Sequence, residues 1–190
     1  NSAKLYTSAT ALSASWTSRT SGFTADHIYG LAYALVGATH TFVAVGGTGK
    51  IASSVDGSAV TWTLRTSPTS SNLYAVAYGN GRFVAAGVGG LFHYSADGAT
   101  WYTAPDCTAG AAYTIDAITF SNGLFVAVSR SSKILTSPDG ISWTLQSTTA
   151  FSYAYWGVCS DGTNYLASGA YFALHTSPIG VPALSLVRST

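Results

Sequence analysis

The sequence predicts an all-β protein, and its composition supports this fold class in three ways. Thr, Val, Tyr, Phe and Trp favour strands, and aromatic residues make up 13% of the 190-residue chain. Twenty glycines supply turns between short strands. Charged residues account for only 8%, with seven Asp, no Glu, five Arg and three Lys, whereas surface helices depend on Glu and Lys. The length is enough to bury one sizeable core.

Four segments of the chain repeat one another. The aromatic residue that opens the second strand of each repeat falls at Phe42, Phe83, Phe125 and Tyr165, so the spacings are 41, 42 and 40 residues. Each repeat contains four short runs of strand-forming residues, and Asn-Gly turns of the type I′ kind join the first two runs in two repeats. A period of about 40 residues is typical of a propeller blade. We therefore predict a β-propeller, or propeller segment, of about four and a half four-stranded antiparallel blades.

The repeats divide the chain into one partial and four complete blades of a single propeller domain. Residues 1–26 align with the outer two strands of a blade, and the complete blades are predicted at 27–71, 72–113, 114–153 and 154–190. A lone hairpin is marginal in water and exposes strand edges. Three explanations of the partial blade stay open: upstream sequence completes it, a neighbouring protomer completes it, or the ring tolerates an incomplete blade. We expect another protein chain or protomer as the partner, and a Met-free chain suggests a processed product or a fragment.

Three predicted hairpins share a pattern of Ser, Asp, Gly and Trp. They are SVDGSAVTW at 54–62, SADGATW at 95–101 and SPDGISW at 137–143. These segments resemble Asp-box repeats of the bacterial neuraminidase repeat type, whose usual form is SxDxGxTW. Two copies are one residue shorter than that form, one is a residue longer, and the fourth copy, SPIGVPA at 177–183, has lost both Asp and Trp.

A structural role explains every residue of these hairpins. The Asp carboxylate can accept backbone N–H groups across its own turn, Gly permits the left-handed conformation, and Trp covers the hairpin. Together with YGNGRFVAAG at 78–87, the hairpins are similar to propeller-like repeats of bacterial secreted proteins and of phage tail or fibre proteins. The residues given this structural role are Ser54, Asp56, Trp62, Ser95, Asp97, Trp101, Ser137, Asp139 and Trp143.

The residue inventory argues against an enzyme. The resemblance to sialidases implies a Tyr nucleophile assisted by Glu, and the chain has no Glu. A glycoside hydrolase with two Asp carboxylates is the remaining enzymatic alternative, but only Asp116 is predicted at the start of an innermost strand. No cofactor or metal is expected, because the glycine-rich VGGTGK lacks Walker spacing and the histidines lie in different repeats.

Charge and hydropathy exclude two further classes of function, nucleic-acid binding and membrane insertion. A net charge of +1 with scattered Lys and Arg offers no field for nucleic acid, and no apolar run is long enough for membrane insertion. Cys107 and Cys159 are not expected to form a disulfide, because two cysteines define no framework.

The rim that carries the blade-to-blade connections is the predicted ligand surface. Lys4, Lys50 and Lys133 occupy equivalent repeat positions there, and the connections are rich in Tyr and Phe. Two interpretations stay open: solubilising charge with aromatics packed between blades, or a cationic and aromatic surface that binds sugar rings. The candidate ligand-binding residues are Tyr74, Tyr113, Asp116, Arg130, Lys133, Tyr153 and Tyr155.

These features together predict a non-enzymatic structural or binding module that is extracellular or part of a virion. The leading hypothesis is a phage tail or fibre component for assembly or host-surface attachment. A secreted lectin-like propeller that binds a cell-surface glycan is the alternative, and a glycoside hydrolase comes third.

Overall fold

The computed structural model describes residues 4–7, 16–23, 26–55, 62–105, 113–146, 154–170 and 174–178. These residues form five antiparallel sheets, in which each strand pairs with its neighbour in sequence. A half blade contains β1 (Lys4–Thr7) and β2 (Thr17–Thr20), and blade 1 contains β3 (Ile28–Val36), β4 (Thr39–Gly46), β5 (Ile51–Val55) and β6 (Thr63–Arg65). Blade 2 contains β7 (Leu73–Gly79), β8 (Arg82–Gly87), β9 (Phe92–Ser95) and β10 (Tyr102–Thr103). Blade 3 contains β11 (Ile115–Ser121), β12 (Leu124–Ser129), β13 (Lys133–Ser137) and β14 (Thr144–Gln146), and blade 4 contains β15 (Tyr155–Ser160), β16 (Asn164–Gly169) and β17 (Leu174–Pro178).

The blades follow one another through their first strands. Strand β3 packs beside β7, β7 beside β11 and β11 beside β15, so the first strand of each blade is the innermost one. Because every sheet is an up-and-down antiparallel ladder, the chain alternates between two rims. One rim carries the blade connections and the turns from second to third strands, and we call it the connection rim. The other rim carries the turns from first to second strands and from third to fourth strands.

The predicted Asn-Gly turns are confirmed by their backbone angles. Asn80 and Gly81 have φ values of 46° and 77°, and Asn122 and Gly123 have values of 46° and 76°. Two successive positive φ angles define a type I′ turn, whose twist matches that of the flanking strands. Local sequence therefore determines these hairpins.

The hairpins at 95–101 and 137–143, which we call the box hairpins, share one hydrogen-bond pattern. In the first, the N–H groups of Ala99 and Thr100 both donate to Asp97 Oδ1 at 2.8 Å, while Gly98 N–H donates to Ser95 Oγ at 2.8 Å. Partial burial raises the pKa of Asp97, but the hydrogen bonds from Thr100 and Ala99 outweigh it and leave the pKa below its ordinary value. Inside the turn, the Asp97 carboxylate thus accepts the backbone N–H groups that carbonyl oxygens would accept in a regular strand pair.

The second box hairpin repeats this geometry. Ile141 and Ser142 donate to Asp139 Oδ1 at 2.9 and 2.8 Å, and Gly140 N–H donates to Ser137 Oγ at 2.7 Å. In the copy at 54–62, Ser54 and Trp62 are buried, whereas Asp56 lies outside the described residues.

Each pair of consecutive blades encloses its own apolar core. We call the face of a blade toward the preceding blade its leading face and the opposite one its trailing face. Val43 and Val45 on the trailing face of blade 1 pack with Val76 and Phe83 on the leading face of blade 2. The same repeat positions form the cores between blades 2 and 3 and between blades 3 and 4. Packing is therefore a repeated contact between neighbours, as in other repeat architectures.

His93 is the one described histidine in the buried core, and its titration is predicted to make folding pH-dependent. It is 2% exposed, and burial lowers its pKa to about 4. A folded-state pKa below the unfolded value of about 6.5 gives stability that is present above pH 6.5 and is lost as the pH falls toward 4. We expect a loss of about 2 to 3 kcal/mol over this interval in urea unfolding.

His93→Leu tests this expectation, because Leu135 occupies the equivalent position in blade 3. Between pH 6.5 and 4 the variant should lose about 2 to 3 kcal/mol less stability than the parent chain, because only the aspartates with lowered pKa then contribute to the loss. His27→Leu, which removes an exposed imidazole, should keep the slope of the parent chain. An unchanged slope in His93→Leu would contradict the assignment.

Candidate ligand-binding rim

A β-bulge recurs at the same place in all four innermost strands. The pairing register shifts between Ile28 and Gly30, Leu73 and Ala75, Ile115 and Ala117, and Tyr155 and Gly157. The residue skipped in each blade stands next to the connection rim. The four bulged residues are Tyr29, Tyr74, Asp116 and Trp156. Bulges re-aim side chains and are over-represented beside functional sites, so this ring of positions is the candidate site.

Asp116 and Arg130 form an ion pair within blade 3. The backbone N–H of Arg130 donates to Asp116 Oδ2 at 2.7 Å, and its guanidinium Nε and Nη2 donate to the same carboxylate. Only 8% of the Asp116 side chain is exposed, against 49% of Arg130. The hydrogen bond to Asp116 raises the pKa of Arg130 further above its ordinary value. The carboxylate is thus fully engaged, while the cation reaches solvent.

The guanidinium of Arg130 connects blade 3 to an aromatic cluster on blades 1 and 2. Its Cζ lies 5.2 Å from the centre of the Tyr74 ring, a distance at which cation–π attraction operates. The Tyr29 ring packs against Tyr74 with centroids 4.9 Å apart, and His27 follows at 5.9 Å from Tyr29. Aromatic, cationic and carboxylate groups of three blades therefore form one continuous surface.

Two more cations of the connection rim are held locally. Lys133 Nζ lies 5.5 Å from the centre of the Tyr113 ring. Lys50 Nζ lies 2.5 Å from Asp26 Oδ2, and this hydrogen bond lowers the pKa of the Asp26 carboxyl. Lys50 and Lys133 therefore lie on the predicted rim, but each ammonium group interacts with a local partner, so neither is an unpaired cation.

Five of the seven predicted site residues form two contacting groups. Tyr74, Asp116 and Arg130 are in direct contact, and Tyr113 and Lys133 form a second pair beside them. Tyr155 is not on this surface: it is 1% exposed, packs in the core between blades 3 and 4, and burial raises its pKa. Tyr153 lies outside the described residues.

Sequence reasoning missed Tyr29 and Trp156. Their side chains are 43% and 60% exposed, which is high for such large rings. Both stand at the repeat position of Tyr74 and Asp116, one residue after the first residue of the innermost strand. Alignment of the four repeats by Phe42, Phe83, Phe125 and Tyr165 contains this signal.

The rim offers stacking surfaces and hydrogen-bonding groups. Within the described ranges, no group of three or more His, Cys, Asp or Glu side chains is arranged to hold a metal ion. Cys159 is a free, exposed thiol, and Cys107 lies outside the part of the chain that the structure describes. No helix among the described residues is both long and apolar enough to cross a bilayer.

Comparisons with known proteins identify the fold and not a family. No family model matches the chain, and no curated protein matches it. The resemblance to Asp-box repeats therefore stays a prediction.

Solved structures of β-propellers are similar to the chain in fold. The computationally designed Ika4 protein has a TM-score of 0.67 at 14% identity, over 85% of this chain and 96% of its own. YCF48 bound to D1 peptide has a TM-score of 0.67 at 12% identity, over 85% of this chain and 53% of its own. The WD40 propeller domain of Doa1 has a TM-score of 0.66 at 8% identity, over 95% and 60%. The chain spans between half and two thirds of the YCF48 and Doa1 chains, and its own fold is that of a β-propeller, as the repeats predict.

Proposed function

We propose that this chain is a non-enzymatic binding and structural module that acts outside the cell, with the bulged ring of the connection rim as its ligand surface. The observation that carries this proposal is the bulge at one repeat position, which brings Tyr29, Tyr74, Asp116 and Trp156 to the same rim. A propeller fold by itself hosts many functions, so the chemistry of these residues decides the argument.

Carbohydrate is the ligand class that this surface suits best. The exposed faces of Tyr29 and Trp156 can stack on the C–H faces of sugar rings. The half-exposed guanidinium of Arg130 can donate to sugar hydroxyls or to the carboxylate of an acidic sugar. The leading role is attachment to a host-surface glycan as part of a phage tail or fibre, and a secreted lectin-like propeller uses the same surface.

The state of the carboxylates supports binding rather than hydrolysis. Asp116 is held by Arg130, and Asp26 is paired with Lys50. Asp97, Asp139 and Asp161 accept backbone N–H groups within their own turns. A glycosidase needs two carboxyl groups that face one bond, and the described aspartates are each engaged elsewhere. Asp56 and Asp106 lie outside the described residues.

Glycan-array binding followed by titration tests the ligand surface. We expect Trp156→Ala and Tyr29→Ala each to weaken binding of the best glycan about tenfold or more, since loss of a stacking ring costs about 1.4 kcal/mol or more. Tyr102→Ala is the matched control, because Tyr102 is 55% exposed on the outer strand β10, away from the rim. Equal affinities of all three variants would refute the site.

Two further measurements separate the candidate roles. YCF48 is bound to a peptide in its solved structure, so a peptide array is screened beside the glycans, and binding to peptides alone would change the proposed ligand class. Mass spectrometry of purified phage particles, encoded by the genome that carries this chain, tests the virion role. Stoichiometric presence of the chain supports it, and absence favours the secreted lectin.

A further inference from the structure

Blade 1 exposes apolar side chains on its leading face. Leu31 and Tyr33 on β3 are 59% and 50% exposed, and Leu35 continues the same row at 54%. The half blade covers only the outer part of this face, where Leu5 and Phe23 pack against Ala44, Ala52 and Trp62. The inner part, along β3, has no covering strand among the described residues.

In blades 2 and 3, the residues equivalent to this exposed row pack against the preceding blade. By strand register, Leu31 corresponds to Val76 in blade 2 and Ile118 in blade 3, since each faces an alanine of the second strand. Val76 and Ile118 pack against the trailing face of the preceding blade, in the cores between blades 1 and 2 and between blades 2 and 3. The exposed row on β3 is therefore one half of a standard blade contact.

Blade 4 carries the complementary half at the other end of the chain. Cys159 and Leu166 pair across β15 and β16, as Ala77 and Val84 do in blade 2. Ala77 and Val84 pack against blade 3, whereas Cys159 is exposed and Leu166 is only half-buried. The described side chains of this trailing face and the row on β3 include no charged group, so burying them against each other leaves no ion without a partner.

We propose that a second copy of this chain covers the leading face of blade 1, with its β15 and β16 in the two inner positions of the half blade, where the described residues place no strand. The free edge of β1 then lies beside β16 of that copy. In the single chain this edge of β16 pairs with β17. Strand β17 has the same repeat position as β1, so in the proposed assembly β1 of one copy replaces β17 of the other beside β16. Two such contacts close a ring of three whole blades from each copy and two shared blades.

One observation favours a copy over an unrelated partner. Both halves of the proposed contact belong to the same chain, and their residues stand at the repeat positions that form its internal blade contacts. A head-to-tail contact of this kind closes into a ring when its rotation fits and otherwise forms open filaments. The inference deepens the proposed structural role and does not depend on glycan binding.

Disulfide trapping tests the contact residue by residue. In a Cys107→Ser background, Leu31→Cys is combined with the native Cys159, because Ala77 and Ile118 at the equivalent positions pack in one cluster. We expect mild oxidation to produce a covalent dimer on non-reducing gels. Addition of Cys159→Ser should abolish the dimer, and Leu91→Cys, a leucine 42% exposed outside both faces, should form it at least tenfold less.

Light scattering on the full chain supplies the second readout. The wild-type chain should have twice the monomer mass, Leu31→Lys should be a folded monomer by circular dichroism, and Leu91→Lys should stay dimeric. A monomeric wild-type chain would overturn the proposal and leave an upstream segment or another protein as the occupant. A ladder of larger covalent species would also overturn it, because it would indicate an open filament. Glycan binding is measured in a separate experiment. A monomeric chain or a ladder of larger species would therefore overturn only the proposed contact between copies, and not the proposed ligand surface.

Discussion

Trp143→Ala is expected to lower the free energy of unfolding by about 3 to 5 kcal/mol, the range for removing a large buried aromatic. The Trp143 side chain is 3% exposed and stacks on Phe92 of blade 2 with centroids 3.7 Å apart and an interplanar angle of 12°. It also packs near Phe125 of its own blade at 6.3 Å. The substitution therefore opens a cavity at the contact between two blades. Guanidinium unfolding monitored by circular dichroism measures the loss.

Trp156→Ala is the matched control for this prediction. It removes the same side chain from a position that is 60% exposed, where substitutions usually change stability by no more than about 0.5 kcal/mol. The two tryptophans thus separate packing from recognition: one variant should lose stability and the other ligand affinity. Similar losses of stability in both variants would contradict the assigned burial of Trp143.

Gly140→Ala is expected to destabilise the chain by about 2 to 5 kcal/mol through two effects. Gly140 has a φ of 71°, and a residue with a Cβ in this left-handed conformation loses roughly 1 to 2 kcal/mol. Its Cβ would also lie 2.5 Å from Cγ2 of Val84 and 3.2 Å from Cε2 of Phe125, both in the core between blades 2 and 3. Overpacking of such a core costs about 1 to 3 kcal/mol more.

Gly123→Ala isolates the backbone effect. Gly123 has a nearly identical φ of 76°, but its Cβ would meet nothing within 4 Å. The difference between the two alanine variants in urea unfolding is therefore the packing cost alone, about 1 to 3 kcal/mol. If both variants lost the same stability, the box hairpin would not be inserted against blade 2 as described.

The fold could be predicted because its signals are local and repeated. An Asn-Gly pair specifies a hairpin without reference to the rest of the chain, and the spacing of Phe42, Phe83 and Phe125 gives the blade length directly. The pairing of Tyr74 and Asp116 with Arg130 could also be anticipated in part, since all three lie near the same predicted rim. Their contact across blades required the arrangement of the sheets.

The bulge explains why the sequence interpretation chose Tyr155 in place of Trp156. Alternation along a strand places neighbouring residues on opposite faces, so a shift by one residue reverses the assignment. Tyr155 is buried and the next residue, Trp156, is exposed, whereas the sequence interpretation chose Tyr155. The register that decides between them depends on pairing with β16, so the strand's own sequence does not reveal it and only alignment of the four repeats carries a signal.

The recurrent bulge has a consequence for the proposed ligand surface. Four positions share one backbone geometry and yet carry Tyr29, Tyr74, Asp116 and Trp156, which are three rings and an acid. Since the bulged residue is outside the regular ladder, its side chain can be exchanged while the blade contacts stay in place. Under the proposed function, substitutions at these four positions would change ligand specificity one residue at a time, while the contacts between blades and the fold are retained.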